Sequence, residues 1–282
     1  MAIQVHKVVP DVSARSIKDL ISLKDRRAVV TGGAKGIGLA ISKRLAEAGA
    51  AVTIGDFDTQ GAEASAKLLS RDMETKIWWH KVDVTDGPSV TALVGSAVED
   101  MGGIDIWVNN AGIYPTKFIV DMTDDDWDRV LDVNLRGMFI GSREAGKQMI
   151  AAGKGGVIIN LASTAGFSAM GPGTAHYVAS KHGIRGLTKA LAVEFGPYGI
   201  RVLALAPTVI DTPGIAVLRD QAKQAAGGAP VGDLLEQIAF REPLGRAGVP
   251  DDVARVALFC ASDLSMLMTG STLLVDAGDV AI

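Results

Sequence analysis

Residues 27–45 read RAVVTGGAKGIGLAISKRL, an apolar run followed by a glycine-rich loop and a second apolar pattern. The pattern predicts a buried strand over residues 27–31 and a helix that buries Leu39, Ile41 and Leu45. Glycine lets the backbone approach a pyrophosphate closely, and the first N–H groups of the following helix bind the anion. The spacing is G-x-x-x-G-x-G rather than G-x-G-x-x-G, and such a turn can also be purely structural. The candidate phosphate-binding residues are Gly32, Gly36, Ile37 and Gly38.

Six further apolar runs alternate with helical patterns along the chain. They predict strands at residues 51–55, 77–82, 104–108, 157–161, 201–205 and 272–276. Because parallel neighbours require helical crossovers, the alternation predicts an α/β fold, a Rossmann-like doubly wound parallel sheet with helices on both faces. A chain of 282 residues is long enough for one such domain, which we expect at residues 24–282. We expect residues 1–23 to form an N-terminal extension and residues 209–240 to form a helical lid.

The composition restricts the class of partner. A net charge of −4 offers no basic surface, so we expect a small-molecule substrate and neither nucleic acid nor a membrane as partner. The single cysteine, Cys260, cannot form an internal disulfide, which is typical of a reducing compartment. The N-terminus lacks the basic and apolar layout of a secretory signal, and we therefore predict a cytoplasmic protein. No metal site is predicted.

An aspartate follows the second predicted strand. Asp56 follows Gly32 in the sequence by the separation at which a dinucleotide fold places an acid that binds the adenosine ribose. The alternative is an exposed loop aspartate. A 2′-phosphate at this position would meet a like charge, so we predict NAD rather than NADP as the cofactor. Lys35 is the nearest cation in the glycine loop, and Phe57 supplies none.

Polar and small residues also follow the third and fourth strands. Asp83 and Val84 either contact an adenine edge or cap the next helix. The fourth strand ends in Asn109-Asn110-Ala111-Gly112, which suits a wall beside a bound ribose and nicotinamide. Asn134 lies among apolar residues of a predicted helix, where it is either functional or a satisfied buried amide.

Tyr177 and Lys181 lie four residues apart on a predicted helix and therefore share one face. A phenol has a reference pKa of about 10, which makes it a poor base at neutral pH. An ammonium at about 4 Å stabilises a phenolate by about 4 kcal/mol at an effective dielectric constant near 20, so we expect Lys181 to lower the pKa of Tyr177. Ser163 follows the fifth strand and faces the same crevice. The group indicates an acid/base site, although an isolated pair of this spacing also occurs on ordinary helices.

This set of motifs resembles the short-chain dehydrogenase/reductase family in its ordinary short form. The resemblance runs from about residue 23 to residue 278 and includes the glycine loop, Asp83, Asn109 to Gly112, Asn134, Ser163, Tyr177 and Lys181. It implies that Tyr177 is the general acid/base, that Lys181 lowers its pKa and holds the nicotinamide ribose, and that Ser163 hydrogen-bonds the substrate oxygen. It also implies that Asn134 holds a water that links Lys181 to solvent.

The resemblance implies further contacts and an assembly. It places Pro207, Ile210 and Thr212 beside the carboxamide and phosphate of the cofactor. The family pattern has Pro-Gly after the sixth strand, whereas Thr208 follows Pro207 here, so the chain departs from the pattern at that point. We expect a homo-oligomer, a tetramer or a dimer, formed through helices at residues 134–148 and 178–195.

Loops expected at the mouth of the crevice carry apolar residues and few charges, which predicts a neutral, rather hydrophobic and cyclic secondary alcohol or ketone. Core packing of the same residues is the alternative interpretation. The candidate substrate contacts are Ser163, Tyr114, Phe167, Met170, Val209, Ile215 and Leu218.

Three other functions are compatible with parts of the pattern. Sugar-nucleotide epimerases and dehydratases share Y-x-x-x-K, but they resemble T-G-x-x-G-x-x-G and carry a longer substrate domain. A ketoacyl reductase is an alternative within the family, and Asp56 opposes its usual NADP chemistry. A non-catalytic nucleotide-binding protein on this scaffold would be expected to lose a catalytic residue, and this chain retains all four, Asn134, Ser163, Tyr177 and Lys181.

Overall fold

Seven strands form one parallel sheet in the computed structural model, which describes residues 9–73, 75–216, 240 and 242–281. The strands are β1 Arg27–Thr31, β2 Ala51–Asp56, β3 Ile77–Lys81, β4 Ile106–Asn109, β5 Gly156–Leu161, β6 Ile200–Pro207 and β7 Thr272–Val275. Their order across the sheet is β3-β2-β1-β4-β5-β6-β7, so the chain builds one half outward from β1 and the other half outward from β4. Ligands bind beyond the carboxyl ends of the strands at such a switch point, which lies between β1 and β4.

Helices cover both faces of the sheet. Within the described residues they are α1 Ile17–Ile21, α2 Gly36–Glu47, α3 Thr59–Met73, α4 Gly87–Met101, α5 Asp124–Leu131, α6 Gly137–Ala152, α7 Ala175–Phe195 and α8 Pro250–Ala261. Along β1, Ala28 and Val30 face the core beneath α2 and α8, while Val29 faces the core beneath α4 and α6, as the two-residue repeat of a strand requires. The doubly wound fold predicted from the sequence is confirmed.

A π turn interrupts the long helix that follows β4. Thr123 and Asp126 form a reciprocal capping box at the start of α5. The π turn then spans Asp132–Arg136, and α6 continues from it without a break. Such turns widen a helix locally and are frequent at functional sites. Asn134 lies within the turn and is fully buried.

The described end of the N-terminal extension packs against the domain. Arg15 forms an ion pair with Asp263, and Arg26 lies 3.3 Å from the same carboxylate. Leu23, at the predicted boundary, is buried. The division at residue 23 stays a prediction, and so does the lid at residues 209–240, because residues 217–239 lie outside the described part of the chain.

Cys260 lies fully buried in α8, where burial raises the pKa of its thiol to about 12 and leaves it unreactive. Among the described residues, none of the helices combines the length and apolar character that crossing a membrane requires. That part of the chain also contains no group of three or more His, Cys, Asp or Glu side chains arranged to hold a metal ion.

Candidate active site

Two adjoining cavities open beyond the carboxyl ends of β1, β4 and β5. The larger one, which we call the glycine-loop cleft, has a volume of about 620 Å³ and is lined by Gly32, Gly36 and Asp56 among others. The smaller one, the Tyr177 cavity, has a volume of about 230 Å³ and is lined by Ser163, Tyr177 and Lys181 among others. The residues common to both are Ile37, Asn110, Gly112, Ile113, Tyr114 and Thr212.

The glycine loop is shaped to receive an anion. Gly32 and Gly36 adopt φ angles of +65° and +57°, which side chains with a Cβ atom rarely adopt. A Cβ atom at Gly32 would also lie 2.8 Å from the Cα atom of Ala111, so the loop and the end of β4 are in close backbone contact. Lys35, the residue before α2, makes no capping hydrogen bond with its side chain. The first N–H groups of α2 have no acceptor within the helix and can therefore bind a pyrophosphate.

Asn110 fastens the glycine loop to β4. Its Nδ2 atom donates to the carbonyl oxygens of Thr31 and Gly32 at 3.0 and 2.8 Å, and its backbone N–H donates to Thr31 Oγ1 at 3.1 Å. The amide is therefore used to hold the loop. Ala111 and Gly112 line the glycine-loop cleft beside it. Sequence reasoning identified Asn110 but gave Thr31 no role of its own.

Asp56 ends β2 with its carboxylate fixed by the backbone. Oδ2 accepts from the N–H of Ala34 at 2.9 Å, and Oδ1 accepts from the N–H of Asp58 at 3.0 Å. The exposed Lys35 side chain lies 4.0 Å from the Asp58 carboxylate rather than at Asp56. The acid is thus held at the edge of the cleft, where the sequence placed it.

A second cation stands near this edge, which the sequence analysis did not foresee. Lys81 of β3 lies opposite Asp56 of β2 in the register of these two parallel strands. Its Nζ atom lies 5.5 Å from the centroid of the Phe57 ring, and Phe57 lines the glycine-loop cleft. The residues are distant along the chain, so only the strand pairing brings them together.

Asp83 and Val84 line the same cleft. Oδ1 of Asp83 accepts from the backbone N–H and from Oγ1 of Thr85, at 2.9 and 2.7 Å, and so closes a tight turn. The cap of α4 is Asp86, whose side chain accepts from the N–H of Ser89. Asp83 was predicted either to contact an adenine edge or to cap the next helix. Since Asp86 caps α4, Asp83 does not have the capping role, and it shapes the wall of the cleft.

Ser163, Tyr177 and Lys181 meet in the Tyr177 cavity. Tyr177 and Lys181 lie one turn apart on α7, and Ser163 follows β5 at the start of a short 3₁₀ turn. Tyr177 is half-buried and lines the cavity. Burial raises the pKa of Tyr177, and a hydrogen bond with Ser163 opposes this effect. The phenol is therefore the favoured form in this structure.

Lys181 does not act on Tyr177 as the sequence analysis expected. Its Nζ atom donates to the carbonyl oxygen of Leu161 at 2.7 Å and lies 5.4 Å from the centroid of the Tyr177 ring. Burial lowers the pKa of Lys181 to about 7, so much of its charge is lost at neutral pH. The expected lowering of the Tyr177 pKa is absent because burial favours the neutral form of both side chains.

Asn134 holds the loop that follows Gly112. Its Oδ1 atom accepts from the N–H of Ile113 at 2.8 Å, and Nδ2 donates to the carbonyl oxygen of Ile113 at 2.8 Å and to Ser180 Oγ at 3.2 Å. Ser180 in turn donates to the carbonyl oxygen of Tyr177 at 2.7 Å. The side chain is thus a satisfied buried amide that links the π turn to α7, and the water-holding role stays a prediction.

The predicted substrate contacts divide into three groups. Tyr114, Met170, Val209 and Ile215 line the Tyr177 cavity, together with the predicted cofactor contacts Pro207, Ile210 and Thr212. Phe167 was predicted to line this cavity, but its ring is held by a cation–π contact with the Arg185 guanidinium, whose Cζ atom lies 3.6 Å from the ring centroid. Leu218 lies outside the described residues.

Sequence reasoning missed a buried polar network beneath the site. Asn109 Oδ1 accepts from Trp107 Nε1 at 2.7 Å, and its Nδ2 atom donates to Asn160 Oδ1 at 2.9 Å. Asn160 then donates to Thr188 Oγ1 at 3.0 Å. All four side chains are buried, so the network ties β4 and β5 to α7. The sequence feature that could have predicted this network is an asparagine at or next to the end of each of two apolar strands.

Thr208, where the chain departs from the family pattern, also binds its surroundings. Its Oγ1 atom lies 3.0 Å from Glu242 Oε1 and 3.1 Å from Asp279 Oδ2. Burial raises the pKa of Glu242, and the charges of Asp279 and Asp276 add to that effect. Thr208 lines the Tyr177 cavity, so this acidic group lies directly behind the cavity wall.

Known proteins resemble this chain over most of its length. A family model described as enoyl-(acyl carrier protein) reductase matches residues 32–279. Over 260 residues, the chain is 40% identical to the cis-4-hydroxycyclohexanecarboxylate dehydrogenase of Sinomonas cyclohexanicum, covering 92% of this chain and 98% of that protein. It is 37% identical over 256 residues to the 3-oxoacyl-[acyl-carrier-protein] reductase FabG of Chlamydia trachomatis, covering 91% and 98%. A crystal structure of a short-chain type dehydrogenase/reductase from Mycobacterium marinum superposes with a TM-score of 0.86 at 33% identity, covering 95% of this chain and all of that one.

Proposed function

The chain belongs to the short-chain dehydrogenase/reductase family of oxidoreductases, and we propose that it transfers a hydride between NAD(H) and a neutral, rather hydrophobic secondary alcohol or ketone. One observation carries the proposal. Ser163, Tyr177 and Lys181 line a cavity that opens into a cleft ending at a fixed carboxylate, Asp56.

The residues of the glycine-loop cleft fit a dinucleotide. A Cβ atom at Gly32 would fill the space beside Ala111, and the uncapped start of α2 offers N–H groups to a pyrophosphate. Asp56 would accept hydrogen bonds from the adenosine ribose, and Lys181 would hold the nicotinamide ribose. The other residues proposed to hold the cofactor are Gly36, Ile37, Gly38, Asp83, Val84, Asn110, Ala111, Gly112, Tyr177, Pro207, Ile210 and Thr212. When bound, the nicotinamide supplies or accepts the hydride.

Tyr177 would move the proton that accompanies the hydride. In reduction, the Tyr177 phenol donates its proton to the carbonyl oxygen as the carbon gains a hydride, and Ser163 holds that oxygen. In oxidation, the C–H bond breaks with its electron pair leaving as hydride, while the Tyr177 phenolate accepts the hydroxyl proton. Because the pKa of Tyr177 is raised, the protonated form supports reduction at neutral pH, and oxidation is favoured at higher pH.

The lining of the Tyr177 cavity supports a neutral substrate. Tyr114, Met170, Val209 and Ile215 present apolar surface to it. Among the described residues that line the cavity there is no Asp, Glu, Arg or His, and the single Lys is Lys181. Burial removes much of the charge of Lys181. The relative named for cis-4-hydroxycyclohexanecarboxylate acts on a cyclic secondary alcohol that also carries a carboxylate, so it supports a ring in the substrate and does not bear on its neutrality.

A ketoacyl reductase is the second candidate. The Chlamydia trachomatis relative is named for a 3-oxoacyl group on acyl carrier protein, and the matching family model is named for another reductase of acyl carriers. A non-catalytic nucleotide-binding protein is less favoured because Ser163, Tyr177 and Lys181 all line one cavity.

One panel of substrates distinguishes these functions. We would measure kcat/KM for cyclohexanol, 1-phenylethanol, 4-hydroxycyclohexanecarboxylate and a 3-oxoacyl thioester with NAD(H) and NADP(H). The proposal expects the neutral cyclic alcohol with NAD to be among the best substrates. Preference for the thioester with NADPH would support the ketoacyl reductase, faster turnover of charged hydroxy acids would exclude the neutral class, and NADH binding without turnover would support the non-catalytic protein.

We also propose that the chain acts as a cytoplasmic homo-oligomer, a tetramer or a dimer, whose other partner is the small-molecule substrate alone. The faces of α5, α6 and α7 support an assembly. Leu131, Leu135, Phe139 and Leu187 line an open apolar depression there, and Phe139 remains 43% exposed. Size-exclusion chromatography with light scattering tests this proposal, and a monomer would reject it.

A further inference from the structure

Tyr114 borders both cavities of the site. Its ring packs edge-on against the Tyr177 ring, with 6.4 Å between centroids and 74° between the ring planes. This is a favoured geometry for two aromatic rings. Because Tyr114 lines the glycine-loop cleft as well as the Tyr177 cavity, its ring lies where the two cavities adjoin.

Gly214 provides the seat for this ring. A Cβ atom at Gly214 would overlap the Tyr114 hydroxyl oxygen and would lie 3.1 Å from its Cζ atom. The backbone at Gly214 does not have a positive φ angle, so space rather than conformation makes glycine necessary there. Tyr114 therefore spans the cleft from the loop after β4 to the segment after β6.

The loop that carries Tyr114 is held on both sides. Asn134 binds the N–H and the carbonyl oxygen of Ile113, each at 2.8 Å. Beyond the ring, the N–H of Lys117 donates to the carbonyl oxygen of Gly173 at 2.9 Å. With the backbone restrained at Ile113 and Lys117, the Tyr114 ring forms a firm wall.

We propose that Tyr114, seated on Gly214, determines substrate specificity by limiting the width of the Tyr177 cavity beside the reacting carbon. A single six-membered ring passes this wall, and a ring that carries a bulky substituent opposite the hydroxyl group does not. The inference rests on the proposed function and names the substrate class more narrowly. Steric discrimination in an apolar pocket typically reaches about tenfold to 200-fold in kcat/KM.

The test compares cyclohexanol with 4-tert-butylcyclohexanol in the full-length protein with NAD. Tyr114→Ala is expected to shift the ratio of their kcat/KM values at least about tenfold toward the bulky alcohol. Gly214→Ala, which displaces the ring while leaving it present, is expected to shift the ratio in the same direction. Gly95→Ala in α4, where a Cβ atom meets nothing within 4 Å, is the matched control and should leave the ratio unchanged. Unchanged ratios in both Tyr114→Ala and Gly214→Ala would overturn the inference.

Tyr114→Phe tests whether the ring of Tyr114 or its hydroxyl group limits the width of the cavity. It keeps the ring and should keep the substrate ratio within about threefold, a shift of about 0.65 kcal/mol. A ratio that collapses in this variant would assign the effect to the hydroxyl group and reject the wall.

A crystal structure of Gly214→Ala provides a measurement that needs no turnover. The inference expects the Tyr114 ring to leave its position against Tyr177, and a ring in the same place would contradict it. If the unmodified protein turns over no secondary alcohol, the proposed function fails. The packing of Tyr114 on Gly214 is still confirmed if the ring moves as expected in Gly214→Ala. If the alcohols are substrates and the ratios do not change, the specificity inference alone fails.

Discussion

The ammonium group of Lys181 donates a 2.7 Å hydrogen bond to the carbonyl oxygen of Leu161 at the end of β5. Leu161 lies twenty residues earlier in the chain, so this bond joins α7 to the sheet through the lysine that we propose holds the nicotinamide ribose. The bond holds the ammonium beside the Tyr177 ring while burial lowers the pKa of Lys181 to about 7. The lysine is therefore positioned and only partly charged at neutral pH.

Replacement of Tyr177 by phenylalanine tests the proton transfer. Tyr177→Phe should retain NADH binding, measured by fluorescence titration, and should lower kcat by about 10²-fold to 10⁴-fold, because positioning survives and acid/base chemistry does not. More than about a tenth of the original activity would remove Tyr177 from the proposed role.

Lys181→Met tests the second member of the pair. This variant should lower kcat and also weaken NADH binding, because Lys181 is proposed to hold the nicotinamide ribose. Lys189→Met, which changes an exposed lysine of the same helix, is the control and should alter neither quantity. An unchanged dissociation constant for NADH in Lys181→Met would contradict the proposed ribose contact.

The same variant has a predictable effect on stability. The pKa of Lys181 is lowered from 10.5 to about 7, so the folded protein releases this proton more readily than the unfolded chain. Stability should therefore rise with pH between about 7 and 10.5, and the lysine destabilises the fold most at pH 7 and below. Lys181→Met should raise Tm at pH 7, and the gain should shrink toward pH 10. An increase in Tm that grows with pH would contradict this prediction.

Glu242 should show the opposite dependence. Its pKa is raised by burial, so the folded protein holds the proton more tightly, and stability falls as pH rises above the ordinary value of 4.5. Glu242→Gln should therefore raise Tm at pH 7, and the difference should disappear below about pH 4.5. Glu99→Gln, at an exposed position of α4, provides the comparison, and equal effects of the two variants would exclude a special role for Glu242.

We expect Asp56 to set the choice of nicotinamide cofactor. We expect kcat/KM to favour NAD over NADP by at least about thirtyfold, which corresponds to about 2 kcal/mol, because the 2′-phosphate would face a fixed carboxylate. Asp56→Asn should narrow this preference.

Lys81 and Lys35 provide the controls for that measurement. Lys81→Gln should widen the preference for NAD, since the Lys81 Nζ atom lies 5.5 Å from the centroid of the Phe57 ring, next to Asp56 in the chain. Lys35→Gln should have less effect, because Lys35 lies beside Asp58. Equal use of the two cofactors by the unmodified protein would show that the cations outweigh Asp56.

Local periodicity accounts for what could be predicted from the sequence. The strands, the glycine loop and the shared face of Tyr177 and Lys181 depend on residues within one or two turns of each other, and all were found where the pattern placed them. The position of Ser163 beside Tyr177 followed from the rule that carboxyl ends of parallel strands share one edge.

The remaining features depend on contacts between distant segments. Lys81 comes close to Asp56 and Phe57 only through the register of β2 and β3. Phe167 packs on the guanidinium of Arg185 in α7, a contact that the apolar pattern around Phe167 does not reveal. The pKa of Tyr177 was predicted with the wrong sign because a sequence shows the neighbouring charge and does not show the burial that opposes ionisation.

The pairing of β1 with β4 has a consequence for how the enzyme can be divided. The seam rests on three residue pairs, Ala28 with Ile106, Val29 with Trp107 and Val30 with Val108. The amino-terminal half carries the glycine loop and Asp56, whereas Tyr177 and Lys181 come from the carboxyl-terminal half. A nick in the connection before β4 would thus separate the proposed cofactor-binding residues from the proposed acid/base residues, and we expect that β1 and β4 must pair again in this register to restore a single site.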